Sequence, residues 1–273
     1  MSGGEASDVS VPASLVKELR DQTGAGMMDV KRALEESGGD LEAARRLLRE
    51  RGMAQAARRA GRETSQGAVL TTTAGEVGAM VAVGCETEPV SNNAEFLGFA
   101  ERVLDAVFER GPEAVADLEG ERTELIARLG ENVEVRGATR MSAAEGETLA
   151  EYVHPTATNK IGVLVSVRGD NPGAARRLAM HISFAAPRFL TRDDVPESAL
   201  AEERAVYEAM PDVQSKPEHV RGKIVEGMLQ KRFFAESVLT EQVWIHDTSL
   251  TVGAALAQEG LEVVAFERFA LAG

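Results

Sequence analysis

Small and apolar residues run without a break from Val77 to Cys85, which suits a strand covered on both faces. Asn92, with Glu95 three residues on, has the reciprocal pattern of a helix start. From there Phe96, Phe99, Ala100, Val103, Leu104, Val107 and Phe108 recur at helical spacing, so one face of that helix packs onto the sheet. The six-residue loop between strand and helix, carrying Glu86-Thr87-Glu88-Pro89-Val90, is thereby clamped at both ends. Loops held on a rigid scaffold are where proteins concentrate their binding groups.

The same reading organises the rest of the chain. Pro12 opens a short amphipathic helix with Leu15, Val16 and Leu19 inward, ending at Thr23-Gly24-Ala25-Gly26. A second helix runs from Met27 to Ser37 with Val30, Ala33 and Leu34 inward. Asp40 caps a third, with Leu41, Ala44, Leu47 and Leu48 inward, that ends at Gly52. Connections this short force the three to pack side by side. Met53 to Ala60 reads as a helical linker. Beyond it a pattern occurs twice: Gly78-Ala79-Met80-Val81-Ala82-Val83 lies over Gly162-Val163-Leu164-Val165-Ser166-Val167 at a constant offset of 84, each followed by a loop and a helix. The second helix starts at Pro172 and carries Leu178, Ala179, Ile182 and Ala186 inward. Two related halves follow, each a small antiparallel sheet with helices on one face. Val195 to Met210 and Pro217 to Phe234 read as a projecting helical hairpin, with Pro211 to Pro217 as its turn. A strand at Val243 to His246, a helix from Thr251 to Gln258 and an edge strand from Leu261 to Phe269 complete the second half.

The fold class expected is therefore α+β. Its parts are a disordered tail (1–10), a three-helix bundle (11–52), a helical linker (53–66), a first core subdomain (67–140) and a second (141–273) that includes the hairpin 195–234.

Composition narrows the function. The chain has 273 residues, 44% of them hydrophobic, and a single cysteine, Cys85, which excludes an internal disulfide framework and fits a reducing compartment. No apolar run approaches the length of a membrane span, and Ser2 to Ser10 lacks a signal-peptide core, so a cytoplasmic protein is expected. The net charge of −14 is uneven, with 11 Lys+Arg against 10 Asp+Glu up to residue 62 and 19 against 34 after it. The acidic body argues against direct binding of nucleic acid. The Arg-rich piece from Arg45 to Arg62 reads as a solvated helix face, with a phosphate-binding patch as the alternative.

Leu15-Val16-Lys17-Glu18-Leu19-Arg20, then Thr23-Gly24-Ala25-Gly26-Met27-Met28-Asp29-Val30-Lys31-Arg32-Ala33-Leu34 and Gly38-Gly39-Asp40, closely resemble the start of the bacterial translation elongation factor Ts family. The resemblance continues through Ile161-Gly162-Val163-Leu164-Val165, Leu178-Ala179-Met180-His181-Ile182, Lys223-Ile224-Val225-Glu226-Gly227 and Thr251-Val252-Gly253. It implies that the bundle is of the ubiquitin-associated (UBA) type and docks on elongation factor Tu through Met27, Met28 and Lys31. The alternative for the methionines is that they close the bundle's own core. The resemblance also implies core contacts from His154, Ile245 and His246, although His246 stands where the family often has an apolar residue.

No catalytic constellation is present. His154, His181, His219 and His246 are scattered, and there is no metal-ligand spacing, nucleophile elbow or Walker loop, so neither cofactor nor metal is expected. Cys85 reads as a small buried side chain and His181 as a structural histidine. The family's usual loop motif is Thr-Asp-Phe-Val, where this chain has Thr87-Glu88-Pro89-Val90. In the family, the aspartate and phenylalanine enter the partner beside its magnesium and phosphate site and loosen bound GDP. Glu88 keeps the carboxylate one methylene further out, whereas Pro89 has no ring and a locked φ.

The leading expectation is a guanine-nucleotide exchange factor, not an enzyme, that engages GDP-bound and nucleotide-free elongation factor Tu. The alternatives are a divergent binder of that partner, serving as chaperone or assembly subunit, and a nucleic-acid-binding regulator using the bundle. Whether the hairpin touches the partner or a second copy in a homodimer is left open by the sequence.

Overall fold

The computed structural model describes residues 11–154 and 161–271. The expected disordered tail, 1–10, lies outside them. Pro12 precedes α1 (Ala13–Thr23), and Gly24 ends it in the left-handed conformation, its N–H bonding Arg20 O. α2 (Met27–Glu36) buries Val30, Ala33 and Leu34. The Asp40 carboxylate accepts from the N–H groups of Glu42 and Ala43 at 2.9 and 3.0 Å, which fixes the start of α3 (Leu41–Arg59). The three helices share a core of Leu19, Val30, Ala33, Leu34 and Ala44.

α3 does not stop at Gly52. It is one helix of 19 residues that passes through Gly52 and ends at Arg59, within the expected linker 53–66. Gly52 is buried, and a Cβ there would lie 3.0 Å from the Ala127 Cβ, so the glycine permits close helix packing instead of ending the helix.

β1 (Gln66–Ala74) and β2 (Val77–Cys85) form a hairpin about Gly75-Glu76. α4 (Glu88–Ser91) and α5 (Ala94–Arg110) follow. α5 is capped by Asn93, whose side chain accepts from Glu95 N at 2.8 Å, and not by Asn92, one residue earlier. After α6 (Glu119–Leu129), β3 (Val133–Ser142) completes a sheet of order β1-β2-β3. β4 (Glu147–Val153), β5 (Ile161–Arg168) and, much later, β6 (Glu262–Ala270) form the second sheet, of order β4-β5-β6, and all pairings in both are antiparallel. α7 (Pro172–Ala185) lies between β5 and the hairpin. Ala186 is its left-handed C-terminal cap and is exposed, so it does not belong to the inward stripe.

The hairpin comprises α8 (Glu197–Ala209), α9 (Pro211–Gln214), which fills the expected turn, and α10 (Glu218–Met228). A π-helical stretch, Leu229–Phe234, then brings both Phe233 and Phe234 into a separate core with Tyr207, Val213, Val225 and Leu229. α11 (Ala235–Ser237) leads to a loop where a strand over Val243 to His246 is expected. Only Val243 makes a bridge there, to Thr251, flanked by the backbone bonds Trp244 N to Leu250 O and Val252 N to Gln242 O, both at 2.9 Å, and the segment joins neither sheet. α12 (Val252–Gln258) precedes β6.

The two sheets pack face to face with helices outside. Along β2, Ala79, Val81, Val83 and Cys85 meet Phe96, Phe99, Ala100 and Val103 of α5. The alternate residues Met80 and Ala82 meet Leu164 of β5. Along β5, Val163, Val165 and Val167 meet Ala175, Leu178 and Ile182 of α7. The contact between sheets is reciprocal. A Cβ on Gly78 would lie 2.8 Å from Leu164 Cδ1, and one on Gly162 would lie 3.1 Å from Met80 Sδ and 2.5 Å from Val69 Cγ1. Glycine and long side chain are two residues apart in each half, and the bulges at Ala82/Val83 and Ser166/Val167 keep the same offset of 84.

Two expectations follow for stability. Gly162→Ala overpacks the inter-sheet contact and lowers unfolding free energy by roughly 1–3 kcal/mol, with part recovered by Val69→Ala, measured by urea denaturation. Glu151, on β4, has one buried carboxylate oxygen with no hydrogen-bond partner, and burial pushes its pKa above the ordinary 4.5. Its contribution is favourable below pH 4.5 and is lost as pH rises through the raised value. Glu151→Gln therefore raises the thermal midpoint relative to the natural protein by more at pH 8 than at pH 4.5.

Candidate functional site

The segment after β2 is a folded turn and not an open loop. Glu88–Ser91 makes one helical turn with Pro89 in its first positions, where a backbone N–H has no intrahelical partner, so proline costs nothing. The Glu88 carbonyl accepts from the Ser91 hydroxyl at 2.7 Å and from Asn92 Nδ2 at 3.1 Å. Asn92 thus closes this turn instead of opening the next helix. Val90 packs into the core under α5, while Thr87, Glu88 and Pro89 are exposed together.

Three attachments hold the turn from below. Glu131, in the connection between α6 and β3, accepts from Thr87 N at 3.0 Å and from the Thr87 hydroxyl at 2.6 Å. One Glu86 oxygen accepts from Asn132 N at 2.6 Å, and the other pairs with Arg62 at 3.3 Å. The buried Cys85 thiol donates to Thr87 O at 3.3 Å, consistent with a structural thiol. The Glu88 carboxylate, in contrast, has no hydrogen bond or ion pair among the described residues. A rigid base therefore presents a free negative charge beside a proline.

The bundle offers a second surface. Met27 and Met28 are 56% and 64% exposed, so they do not close the bundle's core. Lys31 lies one turn on, its ammonium 3.6 Å from Glu35 and half exposed. This surface is tied to the start of α5 through α6. The stem of Arg128 packs on Gly24, just before Met27, and its guanidinium donates to Glu95 at 2.7 Å, in the first turn of α5.

The third surface lies on the second half, where the expected strand is replaced by a loop pinned on His181. That ring is buried. Its Nε2 lies 2.9 Å from Gln242 Oε1, and its Nδ1 accepts from Ile245 N at 3.4 Å. Gln242 donates in turn to Glu236 O at 2.6 Å, which sets its carbonyl toward the ring and makes His181 the neutral Nε2–H form. Burial holds its pKa below the ordinary 6.5. Trp244 is buried against the ring, at 5.2 Å between centroids, and Val243 and Ile245 on either side point outward, 53% and 37% exposed. His246 is exposed, and its Nε2 lies 3.2 Å from Arg177 O. Phe184, on α7 and 80% exposed, is an apolar surface residue that sequence reasoning missed; a phenylalanine on an apolar helix reads as core, and only the structure turns it out. His154 is exposed at the end of β4, its Nδ1 3.2 Å from the Tyr152 hydroxyl.

Among the described residues, no group of three or more His, Cys, Asp or Glu is placed to hold a metal, and no helix is long and apolar enough to cross a membrane. What the chain presents is three exposed surfaces, two of them carrying large apolar side chains and one the Glu88 carboxylate, which suits docking on another protein.

A family model described as Elongation factor TS matches residues 86–273, beginning at the base of the Glu88 turn. Elongation factor Ts of Idiomarina loihiensis is 38% identical over 271 residues, which cover 96% of this chain and 91% of that protein. Elongation factor Ts of Hahella chejuensis is 38% identical over 267 residues, covering 95% and 91%. Elongation factor Ts of Ruegeria pomeroyi is 39% identical over 274 residues, covering 95% and 92%. Similarity at this level over nearly the whole length of both chains, in agreement with the α+β core of two related halves, means that this chain belongs to the elongation factor Ts family.

Proposed function

We propose that this protein is a guanine-nucleotide exchange factor of translation elongation, acting in the cytoplasm by protein contacts alone on elongation factor Tu. The observation that carries the reading is the rigid, exposed Thr87-Glu88-Pro89 turn with its unpartnered carboxylate, on a chain of this family. Met27, Met28 and Lys31 of the bundle, residues 11–52, grip the partner's nucleotide domain. His154, Ile245 and His246 make the contact from the second half. Held between these grips, Glu88 reaches the partner's magnesium and phosphate site and disturbs it. Exchange is a coupling free energy: whatever factor this protein takes off the partner's affinity for GDP, GDP takes off its affinity for this protein.

Pro89 supports a second reading, a binder of elongation factor Tu that speeds release little, because the family's phenylalanine wedge is missing. A buried phenylalanine is worth roughly 1.5–3 kcal/mol, or about one to two decades in the wedge's contribution. The position itself accepts the ring, since Pro89 is exposed in the first turn of α4 and its replacement breaks no hydrogen bond.

The decisive measurement is release of a fluorescent GDP analogue from the cognate elongation factor Tu, alongside direct binding. We expect the natural protein to accelerate release and Pro89→Phe to accelerate it further, by about one to two decades. Binding without faster release, restored by Pro89→Phe, would establish the second reading, and absence of binding would overturn both. In the same assay, Met27→Ala with Met28→Ala raises the half-saturating concentration about tenfold and leaves the thermal midpoint unchanged, because both side chains are exposed in the free protein.

A further inference from the structure

The turn that carries Glu88 is anchored at its far end, where Val90 packs on the core and Ser91 is buried, and is exposed at its near end. Thr87, Glu88 and Pro89 are exposed, and α4 is four residues long, too short to be stable alone. Its pose is set by a residue 44 positions away. Both oxygens of Glu131 are used on Thr87, one on the backbone N–H at 3.0 Å and one on the hydroxyl at 2.6 Å. Thr87 immediately precedes α4, so this pair fixes the direction in which the turn leaves β2. The neighbouring Asn132 adds a second tie through its N–H to Glu86 at 2.6 Å, and its side chain donates to Arg62 O at 3.0 Å, three residues past the end of α3. The base beneath Glu131 is firm, because Asn132 and Val133 are buried and Arg122 of α6 donates to Val133 O at 2.6 Å.

We propose that Glu131 is a positioning residue for nucleotide release: its two-oxygen clamp on Thr87 presets the Glu88-Pro89 turn in the pose that enters the partner. The proposal rests on the exchange reading above. Without the clamp, the turn samples other directions, and the ordering is left to be done in the complex, at the step where release occurs. First contact through Met27 and Met28 is untouched. Glu131 variants therefore lower the maximal rate of release, where the bundle variants raise the half-saturating concentration.

The test is stopped-flow release of the fluorescent GDP analogue over a range of exchange-factor concentrations, with Glu131→Ala, Glu131→Gln, Thr87→Val and the double variant Glu131→Ala/Thr87→Val. Expected are a maximal rate about tenfold lower for Glu131→Ala, the size of one charge-assisted hydrogen bond, and a half-saturating concentration within about twofold of the natural value. Glu131→Gln, which keeps one acceptor, recovers part of the rate. The double variant falls short of the product of the single effects, because both remove the bond between the Thr87 hydroxyl and Glu131. Thermal midpoints stay level, and amide exchange at Thr87 speeds up in Glu131→Ala. An unchanged maximal rate, fully multiplicative single effects, or a loss that follows a lowered midpoint would overturn the proposal. Should the natural protein itself fail to accelerate release, the exchange reading falls on its own account. The clamp is then judged by Thr87 amide exchange, which overturns it if Glu131→Ala matches the natural protein.

Discussion

Everything in the core depends on how closely two three-stranded sheets approach. Each central strand offers a glycine where the other offers a long side chain, Gly78 under Leu164 and Gly162 under Met80 and Val69. A Cβ at either glycine would need the space the opposing side chain already fills. With the inner faces joined, the outer faces are left for α5 on one side and α7 and α12 on the other. Both central strands are therefore covered twice, and their sequences are accordingly apolar at nearly every position.

The internal repeat also isolates what is special to the first half. Between β5 and α7 the chain needs only residues 169–171, whereas between β2 and α5 it uses residues 86–93. The extra length is the turn with Glu88 and Pro89 and the residues that tie it down. One scaffold is thus used twice, with the exposed Glu88 turn built onto one copy. The corresponding place in the other copy is a short, capped helix start, where Asn171 accepts from Ala174 N.

Much of this was legible in the sequence because it rests on local periodicity. The nine residues of β2, the inward stripe of α5, the bundle and the offset of 84 all leave a pattern within a few turns or strands. What was illegible depends on partners far along the chain. Gly52 has the look of a helix terminator until Ala127 is seen against it. Val243 to His246 alternates like a strand, but its inward Trp244 packs on the His181 ring, to which Gln242, just before the segment, also bonds. Asn92 and Asn93 are both good caps, and only the four-residue turn before them decides which helix each serves. At the site, Thr87 to Val90 stood out from its place between strand and helix, and Met27 and Met28 from family resemblance. Nothing local marks Glu131, an acidic residue in an acidic chain.

The unbroken α3 has a mechanical meaning. Its first half belongs to the bundle's core, and its second half, through Ala56 and Gly52, to the first sheet and α6. Nineteen residues of helix span about 28 Å without a joint. A flexible linker would let one grip search for its site after the other had bound, at an effective concentration that falls as the linker lengthens. A rod permits no search. On the proposed reading it would work as a caliper, holding a partner at both jaws only in the conformation whose surfaces stand that far apart, and the spacing itself would become part of what is recognised.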